Sequence, residues 1–144
     1  MKKILIINGP NLNMLGKRPK EHYGSLTLNE INNLIKKEVD PLEFELKFVQ
    51  SNYEGRLISA IQKAVLDNTD AIIINPAAYT HTSVGIHDAL EMFNGLKVEV
   101  HLSHVDDRED FRKVNFVRSV CNVCFSGKHE ASYIDAIRYL KNNL

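Results

Sequence analysis

The sequence contains no long apolar run, no excess of charge of either sign and only two cysteines. Its apolar runs, such as residues 4–7 and 71–74, are far shorter than the roughly 20 residues that a membrane-spanning helix needs. Lys2 and Lys3 precede the first run, but Asn8 ends that run too early for a secretion signal. We therefore expect a cytoplasmic protein with no membrane segment.

Eighteen lysines and arginines balance 18 aspartates and glutamates, so the formal net charge is zero. No overall field would draw this chain to nucleic acid or to an anionic membrane, and we expect a small-molecule partner. The hydrophobic share of 44% and the charged share of 25% are close to globular averages, which excludes disorder and collagen-like repeats. With 144 residues the chain is too short for an eight-fold α/β barrel, so one domain over residues 1–144 is expected.

The two cysteines, Cys121 and Cys124, form an isolated Cys-x-x-Cys pair. Such pairs occur in redox sites and in halves of zinc sites. A zinc ribbon needs a second pair, and no helix start is at hand to activate a redox thiol, whereas residues 120–125 are mostly apolar. We therefore interpret both cysteines as buried residues of a strand.

Short apolar runs alternate with amphipathic stretches along the whole chain, which indicates repeated βαβ units. Thr27 and Glu30 have the spacing of a capping box, which predicts a helix from Leu28. The predicted strands are residues 3–8, 44–50, 71–75, 97–103 and 120–126, and the other predicted helices cover about residues 54–67, 84–93 and 132–140.

Five strands that are apolar on both faces predict an open parallel sheet with helices on both sides. The common arrangement of five such strands is the α/β flavodoxin-like three-layer sandwich with strand order 2-1-3-4-5. Ligands of this fold bind at the carboxyl edge of the sheet, in the crevice between the first and third strands. The loops after strands one, three and four are therefore expected to hold the chemistry.

The loop after the first strand reads Asn-Gly-Pro-Asn-Leu-Asn at residues 8–13 and continues to Gly24. It has the glycine spacing of neither a dinucleotide site nor a P-loop. About twenty residues is long for a strand-to-helix connection, where two to six are usual, and long loops often act as active-site lids. The chemically active side chains of this lid are Lys17, Arg18, Lys20, His22 and Tyr23.

The loop after the third strand, residues 75–83, leads into a helix that Ser83 or Thr82 is expected to cap. The free amides at such a helix start favour a carboxylate or another anion. His81 lies at this helix start, where we expect it to add one hydrogen-bond donor.

On the fourth predicted strand Glu99, His101 and Ser103 alternate with aliphatic residues and therefore share one face. A carboxylate and an imidazole are costly to bury unless they pair. Paired with Glu99, the ring of His101 keeps one nitrogen free for proton transfer, which predicts an acid–base site at the carboxyl end of the strand. Arg108 and Arg112 are expected to bring guanidinium groups to the same edge for a hydroxyl-rich or carboxylate ligand.

Two other functions stay open from these residues alone. A metal-dependent hydrolase would use His101 and His104 with the aspartates at 106 and 107, although Glu99 is a better partner for His101 than a metal. A flavodoxin-like binding or signalling domain would need no catalysis. A receiver, however, needs carboxylates where this chain has Asn8 and Asn75, and a flavin site needs a hydroxyl-rich phosphate loop.

Four segments, in this order and spacing, resemble the type II 3-dehydroquinate dehydratases, and the similarity covers nearly the whole chain. They are Asn-Gly-Pro-Asn-Leu-Asn at 8–13, the loop 16–24 with its arginine and tyrosine, residues 75–83, and Glu-Val-His-Leu-Ser at 99–103. The resemblance implies a hydro-lyase that eliminates water in the anti sense from 3-dehydroquinate, through an enolate, to give 3-dehydroshikimate. This is the third step of the shikimate route to aromatic amino acids, or a step in quinate breakdown, and the resemblance implies no cofactor and no metal.

The resemblance also implies a role for each matching residue. Tyr23 would remove the proton next to the ketone, and Arg18 would stabilise the resulting phenolate form. His101, held by Glu99, would protonate the departing hydroxyl, while Asn11 would position a water on the enolate oxygen. The residues implied in substrate binding are Asn75, His81, Asp88, Leu102, Ser103 and Arg112.

Asp88 resembles an acidic residue that reaches a neighbouring subunit's site, so the resemblance implies a homo-oligomer, a dodecamer built of four trimers. The chain departs from the family pattern at a few positions. These are Pro19-Lys20 in the lid, His87 before Asp88, His104 with Asp106-Asp107, and Lys128-His129-Glu130 in place of a glycine-rich turn.

Overall fold

The strands form where short aliphatic runs can be buried on both faces. The computed structural model describes residues 1–144, and in it residues 4–7 and 71–74 are buried throughout. The strands are β1 (Lys2–Asn8), β2 (Phe44–Gln50), β3 (Ala71–Asn75), β4 (Leu96–His101) and β5 (Val123–Ser126). They form one parallel sheet of order β2-β1-β3-β4-β5, which confirms the predicted flavodoxin-like α/β topology.

The helices are α1 (Lys20–Tyr23), α2 (Leu28–Lys37), α3 (Glu54–Leu66), α4 (Val84–Glu91) and α5 (Ala131–Asn143). The predicted capping box is present, because the Thr27 hydroxyl accepts from the Glu30 amide and the Thr27 amide donates to the Glu30 carboxylate. Of the two predicted caps of α4, Ser83 is the one used, and its hydroxyl accepts from the amide of Ile86 at 2.9 Å. None of these helices is both long and apolar enough to cross a membrane.

The sheet separates two apolar cores. Alternate β1 residues point to opposite sides, so that Ile6 packs with α2 and α5 while Ile7 packs with α3 and α4. Each helix contributes the apolar stripe expected from its sequence, such as Ile31 and Ile35 of α2. The two layers leave only the edges of the sheet for polar side chains.

Strands β4 and β5 are shorter than predicted. β4 ends at His101, which is paired with Ser126, the last residue of β5. Leu102 and Ser103 therefore have no residues of β5 beside them with which to form further strand hydrogen bonds. β5 begins three residues later than expected, because a 3-10 turn occupies residues 118–120 and the Asn122 side chain accepts from the Lys97 amide.

The prediction of two buried strand cysteines is therefore only partly correct. Cys124 lies on β5, but Cys121 precedes it, and both are half-buried. Burial raises the pKa of the Cys121 thiol to about 12 and that of the Cys124 thiol to about 11. Neither thiol carries the thiolate that redox chemistry or metal binding requires at neutral pH.

Close packing at the carboxyl edge brings the loops after β1 and β3 together. A Cβ atom at Gly9 would lie 2.4 Å from the carbonyl oxygen of Pro76, so only glycine fits there. The Gly9 amide donates to the carbonyl of Asn75 at 2.8 Å. This contact fixes the floor of the crevice between β1 and β3.

Candidate active site

One cavity at the carboxyl edge of the sheet contains most of the predicted site residues. It lies between the lid, the loop after β3 and the segment that follows β4. The predicted residues that line it are Asn11, Arg18, Tyr23, Asn75, His81, His101, Leu102, Ser103 and Arg112. Chain segments more than 80 residues apart in sequence therefore meet at the place where the parallel topology predicts a ligand.

His101 and Glu99 form the predicted pair at the end of β4. Nε2 of His101 lies 2.5 Å from Oε2 of Glu99, and both side chains are almost fully buried, at 3% and 0% exposure. Because a carboxylate can only accept, this nitrogen carries a proton. His101 lines the cavity and Glu99 lies behind it, so the carboxylate orients the ring rather than touching a ligand.

Glu99 is ionised despite its burial. Burial would raise the pKa of Glu99, but hydrogen bonds from His101 and Asn115 and the charge of Arg118 lower it to about 2. Asn115 Nδ2 donates to Oε2 at 2.7 Å, and Arg118 Nε donates to Oε1 at 3.2 Å. The carboxylate thus keeps its charge over the whole physiological range and holds the His101 ring by a charged hydrogen bond.

Tyr23 lies at the end of α1 with its hydroxyl held by an arginine. Nη1 of Arg108 donates to the Tyr23 oxygen at 2.9 Å and also to Oγ of Ser103 at 3.3 Å. The guanidinium of Arg18 stacks on the Tyr23 ring, with Cζ 3.6 Å from the ring centroid. Two permanent positive charges therefore border one phenol in a half-buried site.

The amide of Asn75 is fixed by a buried tyrosine. Its Nδ2 donates to the Tyr133 hydroxyl at 2.9 Å, and its Oδ1 accepts from the amide of Ala77 at 3.0 Å. The same Tyr133 hydroxyl donates to Oδ1 of Asn8 at 2.5 Å. Asn8 and Asn75 are register partners at the ends of β1 and β3, so a side chain of α5 orients both residues at the switch point of the sheet.

His81 is placed differently from the donor role expected at the start of α4. Its Nδ1 lies 2.6 Å from the carbonyl oxygen of Val114, which can only accept, so Nδ1 carries the proton. Burial lowers the pKa of His81, and the nearby charge of Arg112 lowers it further against the effect of this hydrogen bond. The neutral ring therefore offers its other nitrogen to the cavity as an acceptor for a hydroxyl.

The cavity wall carries positive and no negative side-chain charge. Arg18, Arg108 and Arg112 line it, and no aspartate or glutamate does. Arg112 is held by Glu109, whose Oε1 accepts from Nε at 2.9 Å. Such a wall favours an anionic ligand, and the arginine fork is suited to a carboxylate.

Asp88 lies outside this cavity. It is on the exposed side of α4, where His87 Nδ1 is 3.1 Å from its Oδ1 and 3.6 Å from Oε1 of Glu91. These three side chains are the only group of metal-binding type with its ligand atoms close together. His104, proposed as a hydrolase ligand, packs against Gly127 instead, so His101 and His104 form no such group.

Sequence reasoning placed Arg108 at this edge as a ligand-binding guanidinium but did not predict its hydrogen bond to Tyr23, and it did not identify Tyr133, Asn115 or Arg118. A basic residue shortly after a strand was a usable signal for Arg108. The other three act on site residues across more than ten positions of chain, and no local pattern marks such contacts.

An arginine-bordered phenol and a carboxylate-held imidazole, facing one cationic cavity at the sheet edge, define an α/β acid–base enzyme for a small anionic substrate. The sequence matches the family model "Dehydroquinase class II" over residues 2–141. The chain belongs to this family, and the resemblance noted in the sequence is confirmed.

Individual relatives agree with this assignment. The chain is 48% identical over its full length to a 3-dehydroquinate dehydratase of Caldicellulosiruptor saccharolyticus, of which it covers 99%. The crystal structure of type II dehydroquinase from Butyrivibrio crossotus matches with a TM-score of 0.92 at 44% identity, covering 97% of both chains. The type II dehydroquinase of Propionibacterium acnes also matches with a TM-score of 0.92, at 32% identity, covering 99% of this chain and 97% of the other.

Proposed function

We propose that residues 1–144 act as a single catalytic domain in which Tyr23 and His101 are the base and the acid of a dehydration. Family membership assigns the overall reaction, which is elimination of water from 3-dehydroquinate to give 3-dehydroshikimate, in the shikimate route to aromatic amino acids. The observation that carries the residue roles is that a phenol and an imidazole, each with its own charged partner, line the same cavity.

In the first step the phenolate oxygen of Tyr23 takes a proton from the carbon next to the substrate ketone. Arg108 and Arg18 stabilise the phenolate before the transfer, because their charge persists at every relevant pH. The electron pair left on carbon moves to the carbonyl oxygen and forms an enolate. Asn11, on the cavity wall, positions a water that donates a hydrogen bond to this oxygen.

In the second step the enolate collapses and the carbon–oxygen bond to the leaving hydroxyl breaks. The protonated ring of His101 gives a proton to this hydroxyl, which departs as water, and Glu99 stabilises the imidazolium until then. The proton on Tyr23 then returns to solvent and His101 regains one, so the enzyme ends as it began. No step requires a cofactor or a metal.

The substrate carboxylate and ring hydroxyls are assigned to the remaining polar groups of the cavity. Arg112 and Ser103, with the Leu102 backbone, present donors, and the free nitrogen of His81 accepts from a hydroxyl. Asn75 has one amide proton left after its bond to Tyr133 and directs it to the ligand. The arginines give affinity for the carboxylate, and the neutral groups select the hydroxyl pattern.

The assembly is proposed to be a dodecamer of four trimers. Its support in this chain is Asp88, a predicted substrate residue that lies outside the chain's own cavity, with 66% of its side chain exposed. In a trimer Asp88 would complete the site of a neighbour. A cytoplasmic location is part of the same proposal.

The direct test is an absorbance assay with 3-dehydroquinate. Formation of the conjugated enone should raise ultraviolet absorbance, and the rate should be unchanged by a chelator. The rate should also be unchanged after the enzyme has been treated with borohydride and substrate together and then freed of both, because borohydride itself reduces the substrate ketone. Loss of activity in chelator would support the hydrolase-type metal site instead. Inactivation by borohydride would indicate a lysine imine, and either result would contradict the proposed mechanism.

A further inference from the structure

Besides His101, two residues to which no role has yet been given bind the carboxylate of Glu99. Oε2 accepts from both His101 and Asn115, and Oε1 accepts from Arg118. Neither Asn115 nor Arg118 lines the cavity. Both residues therefore contact the site through the carboxylate of Glu99.

Asn115 is itself rigidly held. Its Oδ1 accepts from the backbone amides of Val117 and Arg118, at 2.8 and 2.9 Å. With the oxygen fixed in this turn, the Nδ2 group is directed at Glu99. Arg118 is fixed in turn by Asp106, whose Oδ2 accepts from Nη1 at 3.1 Å, while Nη2 lies 3.6 Å from Sγ of Cys124.

We propose that Asn115 and Arg118 are positioning residues that set the acid strength of His101. They would do so by holding the ionised carboxylate of Glu99 in one orientation and by offsetting part of its negative charge. The inference rests on the proposed role of His101. A bare buried carboxylate would hold the imidazolium proton tightly and make His101 a weak acid. The Arg118 charge offsets part of that attraction, and the Asn115 donor keeps Glu99 ionised and in place.

The remaining ionisable neighbours do not supply this balance. Behind the pair, only Arg118 touches Glu99 with a positive charge. The charged or titratable groups around the pair are Arg18, Tyr23, His81, Arg108 and Arg112 on the cavity side, and Asp106, Arg118, Cys121 and Cys124 behind Glu99.

Asn115→Asp gives the sharpest test, because it preserves shape. The new carboxylate can still accept from the amides of Val117 and Arg118, but it faces Glu99 with an oxygen in place of a donor. At low pH a shared proton restores the donor, so kcat should approach that of the wild type. As pH rises from about 5 to 8 this proton is lost, and kcat should fall by about 10- to 100-fold relative to wild type with little change in KM.

Stability gives a second readout that needs no substrate. The shared proton has a raised pKa in the folded variant, so the stability it provides is present at low pH and is lost as pH rises. Urea unfolding of Asn115→Asp should show this loss between pH 5 and 8, and the wild type should not. Asn33→Asp, at an exposed position of α2, is the matched control and should leave both profiles unchanged.

Arg118→Met tests whether the positive charge of Arg118 weakens the hold of Glu99 on the His101 proton. Without the cation His101 holds its proton more tightly, so kcat should fall about 3- to 10-fold and the alkaline limb of the kcat profile should move up by about half to one pH unit. Arg118→Lys should move the alkaline limb of the kcat profile part of the way back to its wild-type pH. Arg138→Met, which breaks a surface pair with Glu38, is the control.

Wild-type pH profiles in both Asn115→Asp and Arg118→Met would overturn the inference. Absence of dehydration by the wild type would instead overturn the proposed function. In that event the unfolding profile of Asn115→Asp still decides whether Asn115 holds Glu99 ionised, and a flat profile would refute that step.

Discussion

The phenolic oxygen of Tyr23 accepts a hydrogen bond from Nη1 of Arg108, a residue 85 positions further along the chain, at 2.9 Å. Arg18, only five positions before Tyr23, instead stacks on the face of the ring. Both guanidinium groups therefore lie against the same phenol, since Cζ of Arg108 is also 5.2 Å from the ring centroid. Arg108 reaches the oxygen directly, whereas Arg18 covers the ring from the lid side.

Removal of the phenol oxygen should abolish proton abstraction without disturbing the fold. Tyr23→Phe is expected to lower kcat by about 10²- to 10⁴-fold, because the base is lost. The absorbance assay gives the rate, and circular dichroism checks the structure. Tyr53→Phe is a matched control, since Tyr53 is exposed and also lies beside an arginine, with Arg56 Cζ 5.2 Å from its ring. Near-wild-type activity of Tyr23→Phe would refute the assignment of the base.

Loss of either arginine that borders Tyr23 should lower kcat, and the two losses should be coupled. Arg108→Met leaves the Tyr23 oxygen without its donor and should lower kcat by about 10²- to 10³-fold, a loss typical of a single charge-stabilising donor. Arg18→Met should also lower kcat, and the double variant should lose less than the sum of the two in free energy because both act on one phenol. Steady-state kinetics on the four proteins measures this coupling, and full additivity would argue against a shared target.

Acid should destabilise the protein through Glu99. The pKa of Glu99 lies at about 2 in the folded chain against 4.5 for a free side chain, so its contribution, about 3 kcal/mol, is fully present above pH 4.5. It is lost as pH falls from 4.5 toward 2. Urea unfolding at fixed chain concentration should show this slope in the wild type, and Glu99→Gln should lack it.

The exposed pair of Glu38 and Arg138 provides the comparison for this experiment. Glu38→Gln removes a carboxylate that accepts two hydrogen bonds from Arg138 at the surface. Exposed ion pairs contribute little, so the acid slope should remain close to that of the wild type. An equal effect of both substitutions would show that the slope is not specific to the buried pair.

The thiols should be unreactive. Because burial raises the pKa of Cys121 to about 12 and that of Cys124 to about 11, less than 1% of either thiol should be ionised at pH 8 by simple titration arithmetic. Iodoacetamide labelling followed by mass spectrometry should be much slower than labelling of glutathione under the same conditions. Labelling of either cysteine at the glutathione rate would contradict this prediction.

The regular parts of the fold could be predicted because their signals are local. Short aliphatic runs at residues 4–7 and 71–74 require burial on both faces, and the Thr27 capping box defines a helix start within four residues. Strand ends were less accurate. β4 stops at His101 because its partner Ser126 is the last residue of β5, and the late start of β5 follows from the contact between Asn122 and Lys97.

The candidate site divides in the same way. Pairing of Glu99 with His101 followed from alternation along one strand, since two residues of spacing two share a face whatever the rest of the chain does. The tautomer of His81 did not follow, because it depends on the carbonyl of Val114, 33 positions away. For that reason the free ring nitrogen of His81 accepts a hydrogen bond, whereas the sequence predicted a donor.

The order of the amino acids by itself determined the βαβ pattern, the edge of the sheet that carries the polar loops, and the residue types available for acid–base chemistry. Only the tertiary structure decided which charge meets which group: Arg108 at the Tyr23 oxygen, Tyr133 between Asn8 and Asn75, and Asn115 with Arg118 behind Glu99. Periodicity and capping arise from interactions within a few residues. Hydrogen bonds and charge pairs depend on distances of about 3 Å, which packing of the whole chain sets.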